Sequence, residues 1–194
     1  MDLINERNKQ KVLRASVQIC SDDDNADNTE LLELWFKVLE TVVSRVDTKF
    51  VAENATKQIK DIPSLKNPFP KRKRGNRLIF IVAKNVGEDG IDDDPQLLKS
   101  IMNICSDNNY KIRRDGVIFF KEYFKESKDI KKIIKSERFA DTYLPTLLDF
   151  INDEDLHIQI DAIEACCEVL DQLSEEEIEK DFIPCVLNNI DIEN

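Results

Sequence analysis

The sequence has little of what a β-sheet protein or a catalyst needs. Its 194 residues include only four glycines and six prolines, too few for the tight turns of a many-stranded sheet. There is one histidine, and there is no P-loop, GxGxxG or GxSxG sequence, so no phosphate-binding loop or nucleophile elbow is indicated. These absences predict an all-α protein that is not an enzyme and uses no cofactor.

Metal and disulfide frameworks are also without support. The cysteines form no CxxC pair, and most of them stand beside Ile, Val or Leu in helical stretches, where a free thiol behaves as a small apolar side chain. A calcium loop starting at Asp22 would have Asp27 where its sharp turn needs glycine. We therefore expect reduced structural thiols and no metal site. The cysteines are Cys20, Cys105, Cys166, Cys167 and Cys185.

The net charge of −11 disfavours nucleic acid and anionic membranes, because an acidic surface repels phosphate groups. No apolar run approaches the roughly 18 residues of a membrane span, and the N-terminus lacks the apolar centre of a signal peptide. We expect protein partners, no nucleic acid, no membrane insertion and a cytoplasmic location.

One basic stretch stands out in this acidic chain. KNPFPKRKRG (66–75), within a Pro-rich segment at 61–75, is predicted to be a loop, because two prolines precede the cations. Three interpretations remain open: a solvated loop held by acidic surface nearby, a docking element for an acidic partner, or a nuclear localisation signal. The four cations are Lys71, Arg72, Lys73 and Arg74.

The positive signal is an internal repeat. SDNNYKIRRDGVIFFKEYF (106–124) and NDEDLHIQIDAIEACCEVL (152–170) have the same pattern 46 residues apart, as Ile112 and Ile158 are. Each copy combines a polar turn with a helix that has one apolar stripe, and another such helix precedes it. A single stripe cannot be buried alone, so neighbouring hairpins must stack. Gly116 and Ala162 share one repeat position, which favours close helix approach.

The repeat predicts one array over 1–194 with four to five helical hairpins. Within it we expect a helix at 29–46 that packs Trp35 in the core, and helices near 48–60 and 76–86. A capping box at Ser174 should start a helix that kinks near Pro184. The last helix, with Ile183, Val186, Leu187 and Ile190, should be half-buried or covered by another chain. The units are roughly 1–46, 47–88, 92–126, 138–172 and 174–194.

The acidic turns SDNN and NDED, the IRRDG and IQIDA sequences after them, and Pro145 and Pro184 as helix starts resemble HEAT repeats. Residues 97–190 are similar to the HEAT arrays of the protein phosphatase 2A scaffold and its phosphatase 4 relatives, and LLELWFKVLETV and NRLIFIVAKNVG indicate the phosphatase 4 regulatory subunit 4 family. The resemblance implies a HEAT-like α–α superhelix that acts as a non-catalytic scaffold or regulatory subunit. Its partner would be a phosphatase catalytic subunit or neighbouring subunits. The alternative is a structural subunit of a larger assembly without phosphatase binding.

The resemblance also implies that the turns carry the partner contacts. Arg113 keeps the arginine that HEAT repeats have after the turn, whereas Gln159 replaces it, which leaves a ladder of contacts between turns open at the later unit. Besides the four cations at 71–74, the predicted partner-binding residues are Asp107, Asn108, Tyr110, Arg113, Arg114, Asp153, Glu154, Asp155, His157 and Gln159.

Overall fold

The computed structural model describes residues 5–25, 28–59, 61–128, 130–184 and 187. Over these residues the protein is all-α, with helices and turns and no strand, as predicted. They form two compact units, Met1–Asp107 and Asn108–Asn194. In the same described part of the chain, no helix has both the length and the apolar character to cross a membrane.

The first unit has the following elements: α1 (Glu6–Ser21), a 3-10 turn (Asp23–Asn25), α2 (Thr29–Val43), α3 (Thr48–Val51), a π-helical turn (Ala52–Thr56), α4 (Lys57–Ile59), α5 (Phe69–Asp93) and α6 (Pro95–Cys105). α1 packs on α2, and α5 contacts α1, α2 and α6. Leu13, Leu39, Leu78 and Ile101 are among the fully buried side chains of its core.

The second unit has α7 (Tyr110–Glu126), α8 (Ile130–Ile134), a π-helical turn (Phe139–Tyr143), α9 (Leu144–Ile151), α10 (Leu156–Leu170), α11 (Glu175–Glu177) and a further π-helical turn (Ile178–Phe182). α10 lies against both α7 and α9. Its core is aromatic: Phe120, Phe124, Phe139 and Tyr143 are buried, and the Phe124 ring centroid lies 5.7 to 6.3 Å from the other three.

The polar residues between helices serve mainly as helix caps. Side-chain oxygens accept hydrogen bonds from the first backbone N–H groups of the following helix, which the helix itself leaves unpaired. The capping box predicted at Ser174 is confirmed, because Ser174 and Glu177 each accept the other's backbone N–H. The capping residues are Asn5, Asn28, Asp47, Asp94, Asn109, Asp155 and Ser174.

Burial follows the predicted repeat. Ile112 and Ile158 are both fully buried, and so are Ile101 and Leu147 in the helices that precede the two turns. Gly116 and Ala162 are buried as well. Each turn is therefore flanked by helices that turn equivalent residues toward the interior, as the 46-residue spacing predicts.

The predicted loop is confirmed over 61–68 and wrong over 69–75, because α5 begins at Phe69 and takes in all four cations. Pro70 is in the first turn, where the N–H that proline lacks would have had no partner inside the helix. Pro68 in extended conformation precedes the helix. Further on, Gly87 has φ +67°, in the left-handed region open to glycine, and breaks α5 into two helical parts.

Pro145 stands in the first turn of α9 (Leu144–Ile151), in agreement with the helix start predicted there. It lies inside a continuous helical stretch at 137–151 that widens into the π-helical turn Phe139–Tyr143. Proline clashes with the carbonyl four residues before it, and here the turn instead closes through Leu144 N–H bonded to Phe139 O. Pro184 also comes shortly after a π-helical turn, Ile178–Phe182. The helix that begins after Ser174 is therefore irregular close to the position where a kink was predicted.

The predicted stripe of the helix at 29–46 needs two corrections. α2 ends at Val43, and Phe36, not Trp35, is the aromatic residue of the core: Phe36 is buried and Trp35 is half-buried. The buried positions 32, 36, 39 and 43 follow a helical period, which puts Trp35 beside the core face. In the last predicted helix Ile183 and Leu187 are exposed, whereas Val186 and Ile190 lie outside the described residues.

Candidate protein-binding surface

In the second unit, the two helices that follow the repeated turns lie side by side. Ion pairs join Arg114 to Asp161, Lys121 to Glu164 and Lys125 to Glu168, in ascending order on both helices. α7 and α10 therefore run parallel. Antiparallel helices would pair residues in opposite order. In the parallel arrangement, ion pairs between α7 and α10 recur along the length of both helices.

The turn before α10 is attached to α7 by Arg113. Its Nε and NH2 groups donate to the two carboxylate oxygens of Asp153 at 2.7 and 3.0 Å, a bidentate pair. The hydrogen bonds and charge of Arg113 hold the pKa of Asp153 below its ordinary value. Arg113 also approaches Glu154 at 3.3 Å. Asp153 therefore belongs to a contact inside the chain.

The first unit contains the equivalent contact. Asp107, 46 residues before Asp153, is fully buried in its turn and faces Arg72 of α5. Arg72 NH2 donates to Oδ1 at 3.1 Å, and Nε lies 2.9 Å from Oδ2. Each pair joins an aspartate in a turn to an arginine near the start of an earlier long helix. Each unit thus contains one pair of this kind, Arg72–Asp107 in the first and Arg113–Asp153 in the second.

Gln159 does not extend the ladder in the way an arginine would. Its Nε2 donates to the backbone oxygen of Asp153 at 2.6 Å, within its own turn. Asp155 accepts the backbone N–H groups of His157 and Ile158 and so caps α10. Both side chains stabilise the turn itself.

The remaining predicted residues point outward. Tyr110 and His157 are exposed at the first turns of α7 and α10, and Asn108 and Glu154 are exposed in the preceding turns. Arg114 is partly exposed and remains paired with Asp161. The structure thus brings Tyr110, Glu154 and His157 to the turn end of the second unit, and we call these three residues the turn ridge.

The cations at 71–74 mostly face carboxylates of the first unit. Lys71 and Arg74 both contact Asp23 at 2.6 Å, and Arg72 pairs with Asp107 as described above. Lys73 is exposed. The two pairs with Asp23 attach the start of α5 to the acidic turn between α1 and α2, and they hold the pKa of Asp23 below its ordinary value.

The described cysteines are all free thiols. Burial raises the pKa of Cys20 to about 12 and that of Cys166 to about 11, so both are protonated at neutral pH and poor nucleophiles. Cys185 lies outside the described residues. Among the residues that the structure describes, no three His, Cys, Asp or Glu side chains come together to hold a metal ion.

No protein-family model matches the chain, and no curated protein is significantly similar to it. The function must therefore be inferred from the surface of the chain itself.

One surface feature was missed by sequence reasoning. Leu156, Ile160 and Ile163 of α10 are all large exposed apolar residues, and Cys167 is exposed on the same line. Their spacing of four, three and four residues places them on one side of the helix. The core face of α10, at 158, 162, 165 and 169, lies on the opposite side. α10 thus has two apolar stripes, and we call the outer one the α10 stripe.

Proposed function

We propose that the chain is a HEAT-like α–α superhelix that acts as a non-catalytic scaffold or regulatory subunit and binds a partner protein along its turns. The observation that carries the proposal is the parallel stacking of α10 on α7, with Arg113 joined to the next turn at Asp153. Stacked hairpins generate extended rows of turns and helix faces, which repeat proteins use to bind other proteins.

The resemblance to phosphatase 2A and phosphatase 4 subunits gives the partner class: a phosphatase catalytic subunit. The turn ridge is the proposed contact, because Tyr110, Glu154 and His157 remain exposed while Asp107, Asp153 and Asp155 are held within the chain. Exposed aromatic side chains supply much of the energy of protein interfaces, so Tyr110 is the residue we expect to contribute most.

The test is direct binding between the purified chain and a purified catalytic subunit of the phosphatase 2A or 4 type, measured by biolayer interferometry. Tyr110→Ala should weaken binding by about ten-fold. Leu65→Ala is the matched control, since Leu65 is a similarly exposed large side chain outside the turn ridge, and it should leave the affinity unchanged. Lack of binding at about 50 μM, or equal effects of the two substitutions, would refute the proposal.

A second candidate is a structural subunit of a larger assembly, with the HEAT-like fold but without phosphatase binding. The exposed Ile183 and Leu187 favour it, because they add uncovered apolar surface near the last described residues. Size-exclusion chromatography of the native complex separates the two candidates. A permanent complex of several proteins without a phosphatase supports the structural subunit, and a complex that contains the catalytic subunit supports the scaffold.

A further inference from the structure

The contact between α7 and α10 defines two kinds of helix face. α7 receives α10 on the face formed by Arg114, Val117 and Lys121, since Arg114 and Lys121 pair with α10 and Val117 lies between them on the same side. α10 presents to α7 the face formed by Asp161, Glu164 and Glu168. We call these the receiving face of α7 and the presenting face of α10.

The α10 stripe occupies the receiving position of α10. Ile160, Ile163 and Cys167 stand 46 residues after Arg114, Val117 and Lys121, which is the repeat length. The consequence for burial is direct: Val117 is 0% exposed, whereas Ile163 is 51% exposed. The same repeat position is thus fully buried in α7, at Val117, and open to solvent in α10, at Ile163.

α2 has an open face in the presenting position. Relative to the buried positions of each helix, 32, 36, 39 and 43 in α2 and 158, 162, 165 and 169 in α10, Trp35, Val38 and Val42 correspond to Asp161, Glu164 and Glu168. Val38 is exposed, while Trp35 and Val42 are half-buried. Leu34, exposed one turn before Val38, corresponds to Ile160 and borders this face. The carboxylates of the presenting face of α10 are therefore replaced by apolar side chains in α2.

The two open faces match each other and not the charged faces of the α7–α10 contact. In that contact cations receive carboxylates, whereas the residues at the corresponding positions of the two open faces are apolar. Burying an unpaired charge against apolar surface is unfavourable, so the apolar receiving face of α10 selects an apolar presenting face. This combination of attraction and exclusion gives specificity to repeated helix contacts.

We propose that the α10 stripe of one chain docks on the open α2 face of a second copy, so that chains associate head to tail. The contact is heterologous, because each copy contributes a different face, and it leaves one receiving and one presenting face free for further copies. The two faces together offer five exposed apolar side chains, and these cover less surface than the roughly 1,200 Å² of a stable interface. They are Leu156, Ile160, Ile163, Leu34 and Val38. The association is accordingly weak and concentration-dependent.

The experiment is sedimentation equilibrium of the purified 194-residue chain from about 10 to 500 μM. We expect the wild-type mass to rise with concentration above the 22.5 kDa of one chain. The α10 variant I160E/I163E and the α2 variant L34E/V38E should each stay monomeric. An equimolar mixture of the two variants should form a dimer and nothing larger. Each variant retains the face that the other lacks, and no intact face is left once the two have paired. Leu65→Glu, an equally exposed position outside both faces, should associate like the wild type.

Each other outcome overturns the proposal. Wild type that stays monomeric removes the association, and association of either variant alone identifies a symmetric contact instead. A mixture that stays monomeric removes the pairing of α10 with α2. As a measurement that does not depend on the glutamate variants, Val38→Cys should form a disulfide with Cys167 of another copy under mild oxidation, and adding Cys167→Ser should abolish it. Because only this chain is present, a failure here leaves the phosphatase-binding proposal untouched.

Discussion

The buried ion pair between Arg72 and Asp107 offers the sharpest test of how the turns are held. The Asp107 side chain is 0% exposed and that of Arg72 is 13% exposed. Arg72 also donates from NH1 to the backbone oxygen of Asn67 at 3.0 Å. Replacing Arg72 by Met keeps much of the apolar stem, removes the cation and leaves a carboxylate in an environment closed to water.

Removal of one partner of a buried pair costs about 3–5 kcal/mol, because the remaining charge has lost its compensation. Arg72→Met should lower the free energy of unfolding by this amount. Arg113→Met should cost less, about 1–3 kcal/mol, because the Asp153 side chain is 8% exposed whereas that of Asp107 is fully buried. The comparison uses the same chemical change at equivalent positions, so the difference in cost measures the difference in burial.

Urea unfolding followed by far-UV circular dichroism at neutral pH gives these free energies by linear extrapolation. The double variant R72M/D107N is the essential control, since it removes the buried negative charge while keeping the size of the side chain. We expect the free energy of unfolding of the double variant to exceed that of R72M by at least about 1 kcal/mol. A loss of less than about 1 kcal/mol for R72M, or no recovery in the double variant, would show that the pair does not hold the turn.

Three further predictions concern the second unit. Arg113 lowers the pKa of Asp153 below 3.8. The stability that this pair contributes is therefore complete above that value and is lost as the pH falls through the lower pKa of the folded state. In urea unfolding, Arg113→Met should accordingly lose less stability than the wild type when the pH is lowered from about 5 to 2.5. The pKa of Glu177 is lowered to about 2, first by the backbone N–H of Ser174, and NMR titration should find it partly restored toward 4.5 in Ser174→Ala, which removes only the hydroxyl bond. Phe124→Ala, at a fully buried ring, should cost about 3–5 kcal/mol in thermal or urea unfolding, and Phe124→Leu clearly less.

The helical repeat could be predicted because it depends on periodicity. Ile112 and Ile158 are buried as expected, and so are Gly116 and Ala162, which share the repeat position four residues later. A stripe of apolar residues every three to four positions carries this information without any knowledge of the neighbours. The capping box at Ser174 was equally accessible, because it needs only residues within one helical turn.

The errors arose where local rules allow two outcomes. Proline favours a loop in most positions but is well tolerated in the first turn of a helix, so Pro68 and Pro70 could not by themselves distinguish a loop from the start of α5. The pairs of Lys71 and Arg74 with Asp23 are contacts distant in sequence that favour the helix. Trp35 was placed in the core because it lies on the apolar stripe of its helix, yet the period of the buried residues selects Phe36.

The predicted binding residues show why a charged turn is ambiguous in sequence. Arg113 and Asp153 were chosen as residues that contact a partner, and in the structure they contact each other. The same side chains serve equally well for an ion pair within the chain and for one across an interface, so only the fold decides between the two. Of the turn ridge, Tyr110 and His157 are exposed, and Glu154 is 86% exposed although it also approaches Arg113.

The α10 stripe was missed because the repeat was described by one apolar stripe per helix, the core face that contains Ile158 and Ala162. Leu156, Ile160 and Ile163 lie on the other side of the helix and were not considered. Only the exposure of Ile163, at the position where Val117 is fully covered, separates an interior face from an open one. Position by position, the repeat thus provides its own control: the same site is covered in one unit and exposed in the next. The exposed copy therefore marks where a further helix would pack, and the apolar character of the open α2 face identifies the helix that fits.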